Sequence, residues 1–197
     1  MPFAYDVPPN SGALTQGEIL ADIWVHHVVH PPISIPEGLD PEIHSKLYPL
    51  VLVMTAVCDL YQDFAARFPD DEARQLYSPR IADESDPALI SHVLLCEVYR
   101  RNEFRVPMKG SEPWRRIEQN QNERYHHLQG ASVGDTCESE LPDLYLDFKK
   151  TLGLAPQDLY EGLGRGQLAR VAVVPPIYLH DLMHRFYGFL SRVGLPE

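Results

Sequence analysis

Cysteine is scarce in this chain, which has three among its 197 residues: Cys58, Cys96 and Cys137. They are widely spaced and form no CxxC or CxxH pair, so a disulfide framework or a structural zinc site is not expected. No apolar run approaches the roughly 18 residues that cross a bilayer. Residues 1–16 have neither a basic start nor an apolar stretch, so we expect no secretory signal, no membrane contact and a cytoplasmic location.

Sequence motifs of several enzyme classes are also missing. The chain has no GxSxG nucleophile motif and no HExxH zinc motif. Its glycine-rich segment, EGLGRGQ at 161–167, lacks the lysine and the hydroxyl residue of a phosphate-binding loop and precedes a predicted strand. We therefore predict no bound cofactor and no metal, and whether the protein is an enzyme stays open at this stage.

Positive charge is in deficit, because 28 acidic residues outnumber 17 basic ones and the formal net charge is −11. A charge of this sign repels phosphate backbones at long range, which argues against general nucleic-acid binding. One segment, 100–124, is locally basic and is the only place where we would look for such a contact. A solvated face is the simpler interpretation of it. Its basic residues are Arg100, Arg101, Arg105, Lys109, Arg115, Arg116 and Arg124.

What the chain does contain is a series of short apolar runs that predict strands. The runs at 17–29, 48–57 and 93–99 are rich in β-branched residues, and the second is continuous enough to predict a strand buried on both sides. Shorter strands are predicted at 124–128, 144–148 and 167–174. These strands do not alternate with long helices, which argues against a doubly wound parallel sheet. We expect a mainly β protein with peripheral helices, built on a small β-barrel.

A helix of one to two turns is predicted at 155–166, with Pro156 early and Gly162 or Gly164 at its end. Two further helices are predicted from a change of period. After residue 58, Leu60, Phe64 and Phe68 stand four apart, which is typical of a helix, with Asp59 as its cap. A C-terminal helix over 176–193 starts at two prolines and is followed by glycine and proline. It places an apolar stripe on one face, formed by Leu179, Leu182, Met183, Phe186, Leu190 and Val193.

These elements are interpreted as a single elaborated domain. Residues 1–15 form an irregular arm, and 16–100 form the first half of the barrel with a helical insertion at 59–87. Residues 101–197 form the second half, which ends in the C-terminal helix.

The first hundred residues resemble the MazF/PemK-type toxins. The match runs through 17–100: Gly17 and Glu18 with the apolar residues after them, then Pro49 to Met54, and then Val93 to Val98. The resemblance implies an SH3-like barrel and a ribonuclease activity. The family has a basic residue directly before the proline of its nucleolytic site, where this chain has Tyr48, with Lys46 two residues earlier.

The end of the second apolar run is the first candidate site. A strand-to-helix turn that carries Cys58 and Asp59 places a thiol beside a carboxylate, and a helix N-terminus lowers the pKa of a thiol. The carboxylates of Asp59 and Asp63 oppose that effect, and free cysteines are among the most buried residues. We therefore favour Cys58 as a core residue and Asp59 as a cap. The alternative is a thiol- or metal-dependent hydrolase, in which Cys58 is paired with His126 or His127.

A second alternative is a divergent endoribonuclease of the MazF type, which would use Arg67 and the basic segment against RNA. The candidate catalytic residues are Cys58, Asp59, Asp63 and Arg67. The candidate binding residues are Arg115, Arg116, Arg124, His126, His127, His184 and Tyr187.

Our leading hypothesis is a bacterial binding or regulatory module that acts through a protein partner or by self-association. His184 and Tyr187 lie beside the apolar stripe of the C-terminal helix, and tyrosine is enriched in interfaces. The resemblance to toxins suggests the setting, an accessory component of a stress or defence system.

Overall fold

The computed structural model describes residues 4–9, 11–28, 42–70, 74, 77, 85–104, 111–134 and 140–192. The strands are β1 Glu18–Val28, β2 Ile43–Val53, β3 Val93–Arg100, β4 Tyr125–Leu128, β5 Ala131–Ser132, β6 Glu140–Leu141, β7 Leu144–Leu154 and β8 Ala169–Val173. The helices are α1 Val57–Arg67, α2 Ser111–Glu118, α3 Pro156–Gly164 and α4 Pro176–Leu190. None of these helices is long and apolar enough to cross a membrane. Arg105, Lys109, Cys137 and Val193 lie outside the described residues.

Six strands form one antiparallel sheet in the order β4-β7-β3-β2-β1-β8, and β5 pairs with β6 separately. The predicted mainly β class with peripheral helices is confirmed. A barrel requires that the first and last strands of the sheet pair with each other. In the described ranges β4 and β8 do not pair, so the sheet is open there and the narrower prediction of an SH3-like barrel is not confirmed.

The sheet is buried on both faces, as the continuous apolar runs predicted. On the first face, Leu50 and Leu52 belong to the core that α4 covers. On the second face, Val51 and Val53 belong to the core that α1 and α3 cover. A smaller aromatic core lies at the β4 end of the sheet, formed by Phe104, Ile117, Tyr125 and Tyr145.

All three predicted helices are present, and two of them need corrections at their ends. The N-cap residue of α1 is Ala56, and no side chain caps the helix. Asp59 is therefore not the cap; it lies in the first turn, where a negative charge favours the helix dipole. α4 ends at Leu190, which is 58% exposed. Leu190 was expected in the buried stripe, but the fully buried positions of α4 end at Phe186.

The strands at the two ends of the sheet have cover at their outer edges, β4 along its length and β8 at Val173. Asp6 of the irregular arm exchanges two backbone hydrogen bonds of 2.9 Å with Val173 of β8. At β4, the side-chain amide of Asn120 donates to the His127 carbonyl at 2.9 Å, and its oxygen accepts from the His127 N–H at 2.6 Å. Asn120 thus takes the place of a neighbouring strand. Such cover prevents unwanted pairing of exposed edges.

Two edges inside the sheet are left open by differences in strand length. β3 pairs with β2 only from Val51 to Val53, so β2 before Val51 has a strand partner on one side only among the described residues. β8 pairs with β1 only from Glu18 to Ala21, whereas β1 continues to Val28 in pairing with β2. Residues 22–28 and 43–48 thus form a two-stranded extension, named here the β1–β2 ribbon. Asp22, at its base, has a φ of 65°, a left-handed conformation that is uncommon for any residue other than glycine.

Candidate functional site

Cys58 lies in the first turn of α1 and its side chain is exposed, so its predicted burial is wrong. β2 has already ended at Val53, and α1 turns Leu60 and Phe64 toward the core. Cys58 precedes Leu60 by two residues, about 200° around a helix, and therefore faces away from the core. Its Sγ is 3.5 Å from Oδ1 of its sequence neighbour Asp59.

A thiol reagent should therefore modify the native protein at Cys58 and leave Cys96 unmodified. Cys96 is buried on β3, and burial raises the pKa of its thiol, which lowers the fraction of reactive thiolate. In a Cys137→Ser background at neutral pH, we expect one fast-reacting thiol, which disappears in Cys58→Ser, and a second only after unfolding in denaturant. Two fast thiols in the native protein, or none, would contradict this placement.

Asp63 and Arg67, two further catalytic candidates on α1, bind each other and the segment that leads into β3. Asp63 is buried and accepts a hydrogen bond of 2.8 Å from Arg67 Nε. Its other oxygen accepts from the Ile90 N–H at 3.0 Å, and Arg67 Nη2 donates to the Ile90 carbonyl at 3.1 Å. The pair therefore fixes α1 to the chain before β3, which is a structural use of both side chains.

His126 lies on the opposite face of the sheet from the helix that carries Cys58. Its ring stacks with Phe148 of the first-face core, and its Nδ1 accepts a hydrogen bond of 3.1 Å from Arg185 Nε of α4. Burial, together with the positive charge of Arg185, lowers the pKa of His126 to about 3, so the imidazole is neutral at pH 7. α1 covers the second face. The structure therefore does not bring together the thiol and the imidazole of the hydrolase hypothesis.

His127 points to the other side of β4, as the alternation of side chains along a strand requires. Its ring stacks with Tyr145 at 4.9 Å between centroids, and its Nδ1 donates to the Glu118 carbonyl at 3.0 Å. Its Nε2 is 3.4 Å from Asp143 Oδ1 and makes no hydrogen bond in the described part of the chain. Among the described residues, no group of three or more His, Cys, Asp or Glu side chains is placed to hold a metal ion.

Two of the basic residues in the described part of the basic segment are paired with carboxylates. Arg115 forms an ion pair of 2.9 Å with Glu112 inside α2. Arg124 forms two hydrogen bonds with the carboxylate of Asp147, at 2.7 and 2.5 Å. Arg116 is exposed on α2. Two of the three candidate cations therefore already face carboxylates, which weakens the attraction that this segment would exert on a phosphate backbone.

The remaining candidates, His184 and Tyr187, are exposed on α4 as predicted. His184 lines a depression together with Glu123 and Arg192, whose charged groups pair at 2.8 Å. The predicted role of this surface in an interface stays a prediction.

A cleft of about 740 Å³ lies beside the β1–β2 ribbon. One wall is β1, along residues 22–26, and the other is α3. We name this cavity the edge cleft. Apolar side chains line its interior: Leu154, Leu159 and Leu168. Charged side chains line its rim: Asp22, Asp158, Glu161 and Arg165.

The β1 wall of the edge cleft consists of five successive residues, 22–26. The face of a sheet would present only every second residue, because side chains alternate along a strand. Five in succession indicate that β1 presents its edge, with the backbone N–H and C=O groups that a neighbouring strand would use. Beyond Ala21, no strand or side chain within the described ranges pairs with this edge.

The charged part of the helical wall is one stripe of α3 and its C-cap residue Arg165. Asp158, Glu161, Gly162 and Arg165 have the spacing i, i+3, i+4 and i+7, which places them on one side of a helix. Gly162 also allows α3 to pack closely, because a Cβ atom there would lie 2.6 Å from Leu168 Cδ2. The stripe therefore presents charged groups to the cleft over a closely packed base.

The edge cleft is acidic. Three carboxylates, of Asp22, Asp158 and Glu161, face one guanidinium, that of Arg165, which pairs with Glu161 at 2.7 Å. Trp24, also in the wall, is 57% exposed, which is unusual for so large an apolar side chain.

None of these residues was predicted from the sequence to form a site. The helical spacing of the charged residues in α3 was visible in the sequence. The strand edge that lies opposite them was not visible, because it depends on where β8 begins and how far it pairs with β1.

No model of a known protein family matches this chain, and comparison with curated proteins also gives no match.

Proposed function

We propose that this protein is a protein-binding module that captures an extended segment of a partner in the edge cleft, where the segment adds to β1 as a new strand. The observation that carries the proposal is the unpaired edge of β1 facing α3 across a cleft. An exposed strand edge is a template for an incoming strand, and several peptide-recognition domains use it in this way. Main-chain hydrogen bonds supply affinity, and side-chain pockets supply specificity.

The contrast with the outermost strands β4 and β8 supports this proposal. Asn120 covers the outer edge of β4, and Asp6 pairs with β8. The long edge of β1 has no such cover in the described residues. The edge of β2 before Val51 is also without a strand partner in the described ranges, but its residues do not line the edge cleft. At its base the backbone of Asp22 is in a left-handed conformation. Strained backbone persists where the surrounding structure holds it in place, and it occurs often at ligand sites.

The dimensions fit a short segment. Residues 22–28 form a strand edge of about 23 Å at a rise of about 3.3 Å per residue, which suits a partner segment of about seven residues. A cavity of about 740 Å³ falls within the usual range for ligand sites.

This function agrees with the hypothesis of a module that acts through a protein partner. The resemblance to MazF/PemK-type toxins, the SH3-like barrel and the role in stress or defence stay predictions. The endoribonuclease and hydrolase hypotheses draw no support from the positions of Cys58, Asp63 and Arg67.

Backbone methylation of a bound peptide should test the proposal. Heptapeptides are selected from a random library on the immobilised protein, and the tightest binder is synthesised with N-methyl groups at either its odd or its even residues. Successive N–H groups of an extended strand point to opposite edges. One methylated form should therefore lose at least about tenfold in affinity, and the other should retain most of it. Equal effects of the two forms, or no peptide that binds more tightly than about 1 mM, would overturn the proposal.

A pair of variants locates the binding. Trp24→Ala should weaken binding of the selected peptide, because Trp24 lines the cleft. Tyr61→Ala is the matched control, since Tyr61 is an aromatic residue of similar exposure on α1, and it should leave the affinity unchanged. Titration calorimetry measures both. If the two variants behave alike, the peptide is not in the edge cleft.

A further inference from the structure

We infer that the captured segment alternates basic with apolar residues, its Lys or Arg side chains directed toward α3 and its apolar side chains toward Trp24. This inference names the ligand class of the proposed function and rests on it.

The two sides of the edge cleft differ because β1 alternates. Ile23 belongs to the second-face core, together with Leu159 of α3. Trp24 points to the opposite side and pairs across the ribbon with Leu47 of β2. A strand added beside β1 continues this alternation, so its side chains lie in turn on the α3 side and on the Trp24 side.

The α3 side suits a long cationic side chain. Its interior is apolar, formed by Leu159 and Leu168, and its rim carries Asp158 and Glu161. Lysine and arginine have an apolar stem and a charged end, so the stem can cover the leucines while the end reaches a carboxylate. Arg165 already pairs with Glu161 and leaves Asp158 as the principal partner. An acidic side chain at the same position would meet carboxylates of its own sign.

The Trp24 side suits apolar side chains. Trp24 and Leu47 form a cross-strand pair, and Ile43 lies further along the same face of the ribbon. All three are exposed, at 57%, 37% and 58%. Apolar residues beside an aromatic residue on the same face of a sheet stabilise strand pairing. Branched or aromatic residues of the partner would remove this exposed surface from water.

Three synthetic heptapeptides test the pattern. The first alternates lysine and valine, starting and ending with lysine. The second has the same composition with all lysines before the valines, and the third replaces lysine by glutamate in the alternating order. At low ionic strength we expect the alternating lysine peptide to bind at least about tenfold more tightly than either of the others. Its own affinity should fall as salt is added, because salt screens the attraction between lysine and carboxylate. Equal affinity of the alternating and blocked lysine peptides would overturn the pattern.

Charge-neutral variants of α3 provide the second arm. Asp158→Asn with Glu161→Gln should remove most of the preference for lysine over glutamate peptides. Glu103→Gln with Glu140→Gln removes the same number of charges at two exposed positions that do not line the cleft, and it should keep that preference. Loss of the preference in both double variants would mean that net charge alone attracts the peptide, and it would overturn the inference.

The two proposals fail in different ways. If one N-methylated form of the library peptide is selectively impaired but lysine and glutamate peptides bind equally, strand addition stands and the basic pattern is wrong. If methylation at odd and even residues has the same effect, strand addition itself is wrong.

Discussion

Replacement of Arg170 by methionine should lower the free energy of unfolding by about 3–5 kcal/mol, because it leaves a buried carboxylate without its counter-charge. The side chain of Arg170 of β8 is 6% exposed, and its partner Glu18 of β1 is fully buried. The guanidinium binds both oxygens of Glu18 and donates to the Ala13 carbonyl at 2.7 Å. Burial alone would lower the pKa of Arg170. The hydrogen bonds and negative charge of Glu18 outweigh this effect, so the pKa of Arg170 is raised and the ion pair persists at neutral pH.

Urea unfolding measures this effect, and a double variant identifies its cause. If the cost comes from the unpaired charge, Glu18→Gln combined with Arg170→Met should be more stable than Arg170→Met alone. Arg115→Met, at an exposed ion pair with Glu112, is the control and should leave the unfolding curve at its wild-type position. A double variant no more stable than the single one would show that lost packing, and not the unpaired carboxylate, causes the destabilisation.

Acidification should destabilise the protein through His126, by on the order of 4 kcal/mol between about pH 6.5 and pH 3. The pKa of His126 is lowered to about 3 in the folded protein by burial and by Arg185, whereas an unfolded histidine has a pKa near 6.5. Between these values the unfolded state binds more protons. The stability that depends on keeping His126 neutral is therefore fully present above pH 6.5 and is lost as the pH falls toward 3.

The comparison of wild type with His126→Asn isolates this contribution from that of the carboxylates, which titrate in both proteins. Asparagine places its side-chain oxygen near the position of Nδ1 and can still accept the hydrogen bond from Arg185. The variant should show a flatter dependence of unfolding free energy on pH in this range. His180→Asn, at an exposed position on α4, should keep the wild-type slope. A wild-type slope in His126→Asn would show that this histidine is not buried in its neutral form.

Arg185 donates hydrogen bonds to the backbone around His126 as well as to its ring. Its Nη1 donates to the Asn120 carbonyl, and its Nη2 donates to the carbonyls of Asn122 and Tyr125, at 2.6 and 3.1 Å. One side chain of α4 thus fixes the chain around the start of β4. Nothing in the sequence around Arg185 distinguished it from the other basic residues.

The longer strands and helices were predictable because apolar runs and helical spacing are local features of the sequence. The apolar runs at 17–29 and 93–99 became β1 and β3, and the four-residue spacing after Cys58 became α1. The predicted burial of Cys58 was wrong because a run of apolar residues does not show where a strand ends. β2 stops at Val53, and the helix that follows turns Cys58 outward.

The acidic charge of the protein follows from its composition. Its mainly β class and the approximate positions of its longer strands and helices follow from the order of residues, since burial and helical spacing act over a few neighbours. The open edge of β1 does not. It arises because β8, from a distant part of the chain, begins only at Ala169, opposite Ala21, and because α3 packs beside the gap. Similarly, Glu18 and Arg170 are 152 residues apart in sequence. Contacts of this kind depend on relative strand lengths and on packing between remote segments, so only the tertiary structure defines the edge cleft.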